Sequence, residues 1–247
     1  MADPGMNPNN RGALSAMITP QIFPDRDSLT QQLSEQIVAR LSADLLAFGV
    51  ASLAVSGGRT PVDLMQRLSR ADIDWSHVWV TLVDERWVDK ADEASNERLV
   101  RENLLIHHAA AARFIALKTE HEHPNDALAE LTVSLSVLPE QFSVVVLGMG
   151  EDGHTASFFP GAATLSDCLD LTNPQPCCAT LPLTAPHARM TLTLKRILAS
   201  RWLVLHLTGD AKLDVLTEAW QDGPIESLPV RSVLKQEQSP LAIFFAS

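Results

Sequence analysis

The sequence predicts an α/β fold, a mostly parallel sheet with helices on both faces in a Rossmann-like arrangement. Short runs of apolar residues alternate along the chain with longer segments in which apolar residues recur every three or four positions. The short runs, such as Gln141–Leu147 (QFSVVVL), are apolar almost throughout, which is typical of strands buried on both faces of a parallel sheet.

The first predicted helix spans Ser28–Phe48, where Ser28 can cap its start and Gly49 can end it. One helical face carries Leu29, Leu33, Ile37, Leu41 and Leu45. A strand at Ala51–Ser56 follows, and Pro61 opens a second helix to about Leu68. The later strands are predicted at Val78–Val83, Arg113–Leu117, Gln141–Leu147, Met190–Leu194, Trp202–Leu207 and Leu241–Phe245. The later helices are predicted near Asn96–Leu105, Asn125–Leu138 and Asp210–Trp220.

The domain organisation predicted from these elements is a flexible tail over residues 1–19 and a single α/β domain over residues 20–247. The tail is polar and rich in Asn, Gly and Pro. It has no apolar run after a basic start, so we do not expect a signal peptide. No stretch reaches about 18 apolar residues, so we expect no membrane span.

The composition restricts the partners. Hydrophobic residues make up 46% and charged residues 20%, as in a folded globular protein rather than a disordered one. The net charge of −11 disfavours nucleic acid and anionic membranes as partners. The odd set Cys168, Cys177 and Cys178 predicts free thiols rather than a disulfide framework, which fits a reducing compartment such as the cytoplasm.

The loop after the Ala51–Ser56 strand is the first candidate site, because ligands of parallel sheets bind beyond the carboxyl ends of the strands. It reads Ser56, Gly57, Gly58, Arg59, Thr60 and Pro61. Its glycines allow backbone N–H groups to approach a ligand, and a helix begins directly afterwards, so the loop predicts an anion cradle suited to phosphate. The Lys-Ser/Thr ending of a nucleotide-binding P-loop is absent, so ATP is not indicated. A simple tight turn is the alternative.

A charged motif, Asp84-Glu85-Arg86-Trp87, follows the Val78–Val83 strand. Its carboxylates are suited to accept hydrogen bonds from sugar hydroxyls, and Arg86 is suited to pair with an anion or with those carboxylates. The alternative is a solvated cluster of charges.

The third loop, Gly148–Ser157 (GMGEDGHTAS), follows the most apolar strand. It contains the spacing GxGxxG, but a dinucleotide site requires a helix that continues after the third glycine, and Pro160-Gly161 interrupts here. His154, held in a glycine-rich loop at a strand end, is a better candidate for a general base. A structural histidine is the alternative.

Two basic residues occur late in the chain. Arg189 precedes the Met190–Leu194 strand, and Lys212 lies at the start of the Asp210–Trp220 helix. Either could close over a phosphate from the far side, and ordinary surface charge is the alternative.

The pair His121-x-His123 has no accompanying cluster of ligands, so no metal site is predicted.

Taken together, five motifs resemble the bacterial-type 6-phosphogluconolactonase family. They are SGGRTP, DERWV with Ser95-Asn96, GMGEDGHTASFFPG, RMTLTL and TGDAK, in the family's order, and the match runs from about Ile22 to the C-terminus. The resemblance implies the fold of glucosamine-6-phosphate deaminase and the hydrolysis of 6-phospho-D-glucono-1,5-lactone in the oxidative pentose phosphate pathway. It implies no cofactor and no metal, with a phosphorylated sugar lactone as partner and either a monomer or a small homo-oligomer.

The resemblance also implies residue roles. His154 matches the proposed general base, and Asp152 matches the acidic residue two positions before it. Gly57, Gly58, Thr60, Arg189 and Lys212 match phosphate-side positions, and Asp84 and Arg86 match positions near the sugar ring. The chain departs from the family at Asp89 and Lys195, where relatives often have proline, which bears on loop shape rather than on the reaction.

Two alternatives share the fold. Sugar-phosphate deaminases carry a Glu five residues after the loop His, where this chain has the apolar Phe159, and their strand-end motif resembles MDEY rather than Val83-Asp84-Glu85-Arg86. Sugar-responsive transcription regulators carry a basic N-terminal DNA-binding domain. This chain has a short polar tail and a net charge of −11.

Overall fold

The computed structural model describes residues 19–247, so the tail predicted over residues 1–19 lies outside the described residues except for its last one. This part of the chain forms ten strands and eight α-helices. The strands are β1 Gln21–Phe23, β2 Ala51–Val55, β3 Val78–Leu82, β4 Asp84–Arg86, β5 Arg113–Ile115, β6 Val144–Leu147, β7 Cys177–Thr180, β8 Arg189–Leu192, β9 Leu203–Thr208 and β10 Leu241–Ala246. The helices are α1 Arg26–Phe48, α2 Val62–Leu68, α3 Asn96–Asn103, α4 Leu128–Leu135, α5 Leu165–Leu169, α6 Leu194–Leu198, α7 Asp210–Trp220 and α8 Arg231–Leu234.

Seven strands form one sheet in the order β1-β10-β9-β6-β2-β3-β5, and every neighbouring pair is parallel. The chain moves outward from β2 through β3 to β5, and then returns to the other side of β2 through β6. The strand order therefore reverses between β2 and β6, and ligands of open α/β sheets bind at such a point. The predicted fold class is confirmed.

A second sheet, of three antiparallel strands in the order β4-β8-β7, was not predicted. The strand expected at Met190–Leu194 is Arg189–Leu192 and belongs to this sheet, where it pairs with Asp84–Arg86 and Cys177–Thr180. These strands have only three or four residues, and β4 is fully charged, so the apolar runs that predict the main sheet are absent from it.

The predicted helices differ mainly at their ends. Asp25 rather than Ser28 caps α1, because the Asp25 carboxylate accepts the Ser28 N–H at 2.7 Å. Gly49 ends α1 in the left-handed conformation, as predicted, and α7 has the predicted bounds. The helix expected over Asn125–Leu138 is a 3₁₀ turn followed by α4.

The apolar face of α1 fixes this helix against the main sheet. Leu29, Leu33, Ile37 and Leu41 are fully buried. Full burial of each such side chain contributes about 1.5–3 kcal/mol, so the position of α1 is strongly determined. Among the helices of residues 19–247, none combines the length and the apolar character that crossing a membrane requires.

Candidate active site

A cavity of about 660 Å³ opens at the carboxyl ends of β2, β6 and β9, where the strand order reverses. The loops after all three strands contribute to its wall. Nine of the predicted site residues line it: Ser56, Gly57, Gly58, Arg59, Thr60, Asp84, Arg86, His154 and Lys212. Asp152 and Arg189 do not form part of the wall. Asp152 contacts His154, and Arg189 is paired with Arg86 across two strands.

His154 is held on two sides. Its Nδ1 lies 2.6 Å from Asp152 Oδ1, and that same oxygen accepts the His154 backbone N–H at 3.2 Å. Phe159 stacks on the imidazole with the ring centroids 4.3 Å apart. Burial opposes ionisation of Asp152, but the hydrogen bond and the charge of His154 outweigh it and lower the pKa of Asp152.

The cradle after β2 is tied to the loop after β6 by one hydroxyl. Ser56 Oγ donates to the Val146 carbonyl at 2.9 Å and accepts the Gly148 N–H at 3.1 Å. Ser56 lines the cavity, but its hydroxyl already has protein partners. It is therefore placed to hold the two loops together.

Close contacts define the rest of the cradle. Gly57 packs so closely on the Asn96 side-chain amide that any side chain at position 57 would overlap it. Asn96 Nδ2 donates to the Asp84 carbonyl at 2.8 Å, which links the cradle to the charged motif. On the other side, the Thr60 and Thr208 hydroxyls are 3.3 Å apart, next to the helix that carries Lys212.

Glu85 does not line the cavity, so of the two carboxylates suited to bind sugar hydroxyls only Asp84 is placed to do so. Its side chain is fully buried. It accepts backbone N–H groups of Arg86, Asn96 and Glu97, each at 2.7 Å, and the Ser95 hydroxyl at 3.2 Å. Burial raises the pKa of Glu85, and these hydrogen bonds oppose the rise. Glu85 therefore organises the N-terminus of α3.

Asp84 and Arg86 lie two residues apart on β4, on the same face, and both line the cavity. The Ser157 hydroxyl donates to Asp84 Oδ2 at 2.6 Å, and Arg86 Nη1 donates to the Ala94 carbonyl at 2.7 Å. Arg189 is opposite Arg86 in the β4–β8 pair, so the two side chains share a face.

The Arg189 guanidinium is buried, and its Nε and Nη1 atoms have no hydrogen-bond partner. Burial, and next the charge of Arg86, lower the pKa of Arg189. The Arg86 guanidinium thus lines the cavity, and the Arg189 guanidinium lies beside it behind the same wall. Two adjacent positive charges favour an anionic ligand.

Known proteins with similar sequences and structures identify the family of this chain. Residues 24–242 match the model of the family described as glucosamine-6-phosphate isomerases/6-phosphogluconolactonase. The chain belongs to this family. A 6-phosphogluconolactonase from Rhizobium meliloti is 43% identical over 91% of this chain and 97% of its own length. A solved 6-phosphogluconolactonase from Shewanella baltica is 45% identical, with a TM-score of 0.90 over 94% of this chain and 100% of that one.

The family's fold extends to a different reaction class. A solved monomeric glucosamine-6-phosphate deaminase shares the fold with a TM-score of 0.76 at 13% identity, covering 92% of this chain and 97% of that one. The resemblance and the deaminase-type fold predicted from the motifs are both confirmed. The two departures from the family pattern, Asp89 and Lys195, lie outside the cavity wall.

His206 is a cavity residue that the sequence analysis missed. It lies on β9, lines the cavity and is buried, and neither ring nitrogen has a hydrogen-bond partner. The one signal was its place one residue before the carboxyl end of the predicted strand Trp202–Leu207. Burial lowers the pKa of His206 from 6.5 to about 4.

We expect this burial to make the protein less stable in acid. In the unfolded chain His206 binds a proton below pH 6.5, whereas the folded state resists protonation down to about pH 4, so stability falls as pH decreases through this interval. The loss is about 3 kcal/mol. Urea unfolding of the wild type and of His206→Leu at pH 7, 5.5 and 4 measures it. Parallel pH dependences in the two proteins would contradict the expectation.

Metal-ligating side chains do not cluster in the described residues: no group of three or more His, Cys, Asp or Glu is arranged to hold an ion. His121 instead contacts the Thr119 hydroxyl and Glu130. The cysteines Cys168, Cys177 and Cys178 are buried free thiols.

Proposed function

We propose that the chain hydrolyses 6-phospho-D-glucono-1,5-lactone to 6-phospho-D-gluconate, a reaction of the oxidative pentose phosphate pathway, with residues 20–247 acting as one catalytic domain. The observation that carries the proposal is that one cavity contains both the glycine-rich cradle with Lys212 and the imidazole of His154. The relatives support the same enzyme class, since they are named 6-phosphogluconolactonases. The cytoplasm is the proposed location because the substrate is a phosphorylated metabolic intermediate.

In this proposal the phosphate is bound at the cradle. The backbone N–H groups of Gly57 and Gly58 and the Thr60 hydroxyl surround it from β2, and Lys212 approaches from the first turn of α7. Arg59, at the outer part of the same loop, adds positive charge. Binding of the phosphate supplies positioning energy remote from the reacting carbon.

His154 acts as the general base. The lowered pKa of Asp152 keeps its carboxylate ionised, and an ionised carboxylate only accepts hydrogen bonds. The Nδ1 atom of His154 therefore carries the proton that is donated to Asp152, and in the neutral imidazole Nε2 is then the basic nitrogen. Nε2 removes a proton from water as the water oxygen attacks the lactone carbonyl. The C–O bond of the ring then breaks, and the imidazolium returns this proton to the leaving ring oxygen, which becomes a hydroxyl.

The negative charge that develops on the carbonyl oxygen requires donors. The Gly148 and Gly150 N–H groups already donate to Ser56 Oγ and to the His154 carbonyl. Arg86 and the Met149 backbone N–H share the cavity wall with His154, so we assign this role to them. Asp84 accepts hydrogen bonds from the sugar hydroxyls, and Arg189 adds positive charge beside Arg86.

Phe159 separates this reaction from the deaminase alternative. It occupies the position at which deaminases carry their ring-opening Glu, and here its ring stacks on His154. An apolar ring supplies no acid for opening a sugar ring.

The test of the proposed function is to incubate the protein with freshly prepared 6-phosphogluconolactone and, in parallel, with glucosamine-6-phosphate. Lactone loss above the spontaneous rate without ammonia release supports the proposal, whereas ammonia release without lactone loss would overturn it.

We expect Lys212→Ala mainly to raise KM for the phosphorylated lactone, by about 10-fold or more, while kcat changes little. The reason is that a phosphate contact is equally strong in the ground state and the transition state. Steady-state kinetics of Lys212→Ala measures this, with Lys195→Ala as the matched control, since Lys195 lies on α6 outside the cavity wall. An unchanged KM would show that Lys212 does not bind the phosphate.

A further inference from the structure

The segment between α7 and α8 is held by one buried cation. Arg231, the first residue of α8, is 4% exposed. Its guanidinium donates to the carbonyls of Glu218 and Ala219 at 3.1 and 3.3 Å, in the last turn of α7. It also donates to the Pro224 carbonyl at 2.9 Å and to the Ser227 hydroxyl at 3.0 Å.

All four acceptors of Arg231 are neutral, so the charge is stabilised by carbonyl dipoles and by the negative end of the α7 macrodipole. Burying a cation is costly unless its donors are satisfied, so this arrangement is sensitive to the shape of the side chain. The planar fork of arginine reaches α7 and the loop at once, whereas the point charge of lysine does not. Arg231 therefore fixes the path of the segment at Pro224 and Ser227, while Lys235 donates to the Gln221 carbonyl at its start.

The same segment contacts the residue that precedes His154. The Val230 N–H donates to the Gly153 carbonyl at 2.9 Å. Gly153 has a φ of 76°, and a side chain there would overlap the Leu228 side chain and lie 3.2 Å from Leu228 Cα. Leu228 and Val230 thus support the backbone of the loop at the residue directly before His154.

We infer that Arg231 is a positioning residue for His154, acting through Leu228 and Val230. It touches neither the cavity nor the substrate, since it is absent from the wall. The inference rests on the proposed function, because it assigns Arg231 an effect on the base of that reaction.

The kinetic test uses Arg231→Lys and Leu228→Ala. We expect kcat to fall at least about 10-fold in each variant, because small misplacements of a reacting group are costly in rate. The affinity for 6-phosphogluconate, measured calorimetrically, should stay within about twofold because the cradle is unaltered. Arg196→Lys is the matched control: Arg196 is another arginine that donates to two carbonyls, of Pro139 and Glu140, away from the His154 loop. Its kcat should not change.

Side-chain NMR of the histidines keeps this inference separate from the proposed function. In folded Arg231→Lys the His154 imidazole signals should shift, while those of His77, which contacts Asp74 and Ser76, should not. A wild type without lactonase activity would refute the proposed function, and the NMR comparison would still decide whether Arg231 positions His154. Unchanged kcat with unmoved His154 signals in folded variants would overturn the inference, as would equal losses in Arg196→Lys.

Discussion

His154→Ala is expected to lower kcat for 6-phosphogluconolactone about 100-fold or more, with KM changed far less. General-base catalysis contributes about 10²–10⁴-fold to such reactions, and the alanine leaves no group to accept the proton from water. The cradle lies on other loops, after β2 and β9, so substrate affinity should survive. Loss confined to kcat is the expected signature of an interaction made in the transition state.

The measurement is steady-state hydrolysis with the spontaneous rate subtracted, accompanied by circular dichroism to establish that the variant is folded. His77→Ala is the control, because His77 also pairs with an aspartate, Asp74, but on the surface and away from the cavity. Near-normal turnover by folded His154→Ala would exclude His154 as the base.

Glu85→Ala is expected to destabilise the protein by about 3 kcal/mol or more, because it leaves several buried donors without an acceptor. Three backbone N–H groups and the Ser95 hydroxyl lose their partner at a site that is fully buried. The loss should also displace Asn96, which packs on Gly57, so the cradle should weaken together with the fold.

Urea unfolding monitored by tryptophan fluorescence measures the change in the free energy of unfolding. Glu85→Gln keeps one acceptor oxygen and should lose less than Glu85→Ala. Glu102→Ala is the surface control on α3, where the exposed Arg98–Glu102 pair should contribute under about 1 kcal/mol. Equal stability of Glu85→Ala and the wild type would show that the carboxylate does not hold α3.

The inner strands of the main sheet were predictable because they are buried on both faces, which leaves continuous apolar runs such as Val144–Leu147 in the sequence. The edge strand β1 was not predicted, because its three residues are largely exposed and leave no such run. The small sheet could not be predicted from the sequence, because β4 consists of the charged residues Asp84, Glu85 and Arg86. These residues form a strand only because they pair with β8. Element ends depend on local capping, and Asp25 displaced Ser28 as the cap of α1 for that reason.

The site was predictable where it depends on strand ends. Parallel strands place the loops after β2, β6 and β9 at one edge, and those loops contain the cradle, His154 and Lys212. That Asp84 lines the cavity while Glu85 is buried behind it could not be predicted. Alternate residues of a strand point to opposite faces, and the sequence did not indicate that β4 is a strand. His206 and Arg231 gain their significance only from tertiary contacts.

The most direct test compares 6-phosphogluconolactone with unphosphorylated gluconolactone, each freshly prepared at neutral pH and corrected for spontaneous hydrolysis. We predict that kcat/KM for the phosphorylated lactone is larger by a factor on the order of 100 or more, because phosphate binding positions the carbonyl at His154. We also expect Lys212→Ala to reduce the ratio of kcat/KM between the two lactones. Equal rates with the two lactones, or no enzymatic rate with either, would contradict the claim that cradle and base act on one substrate.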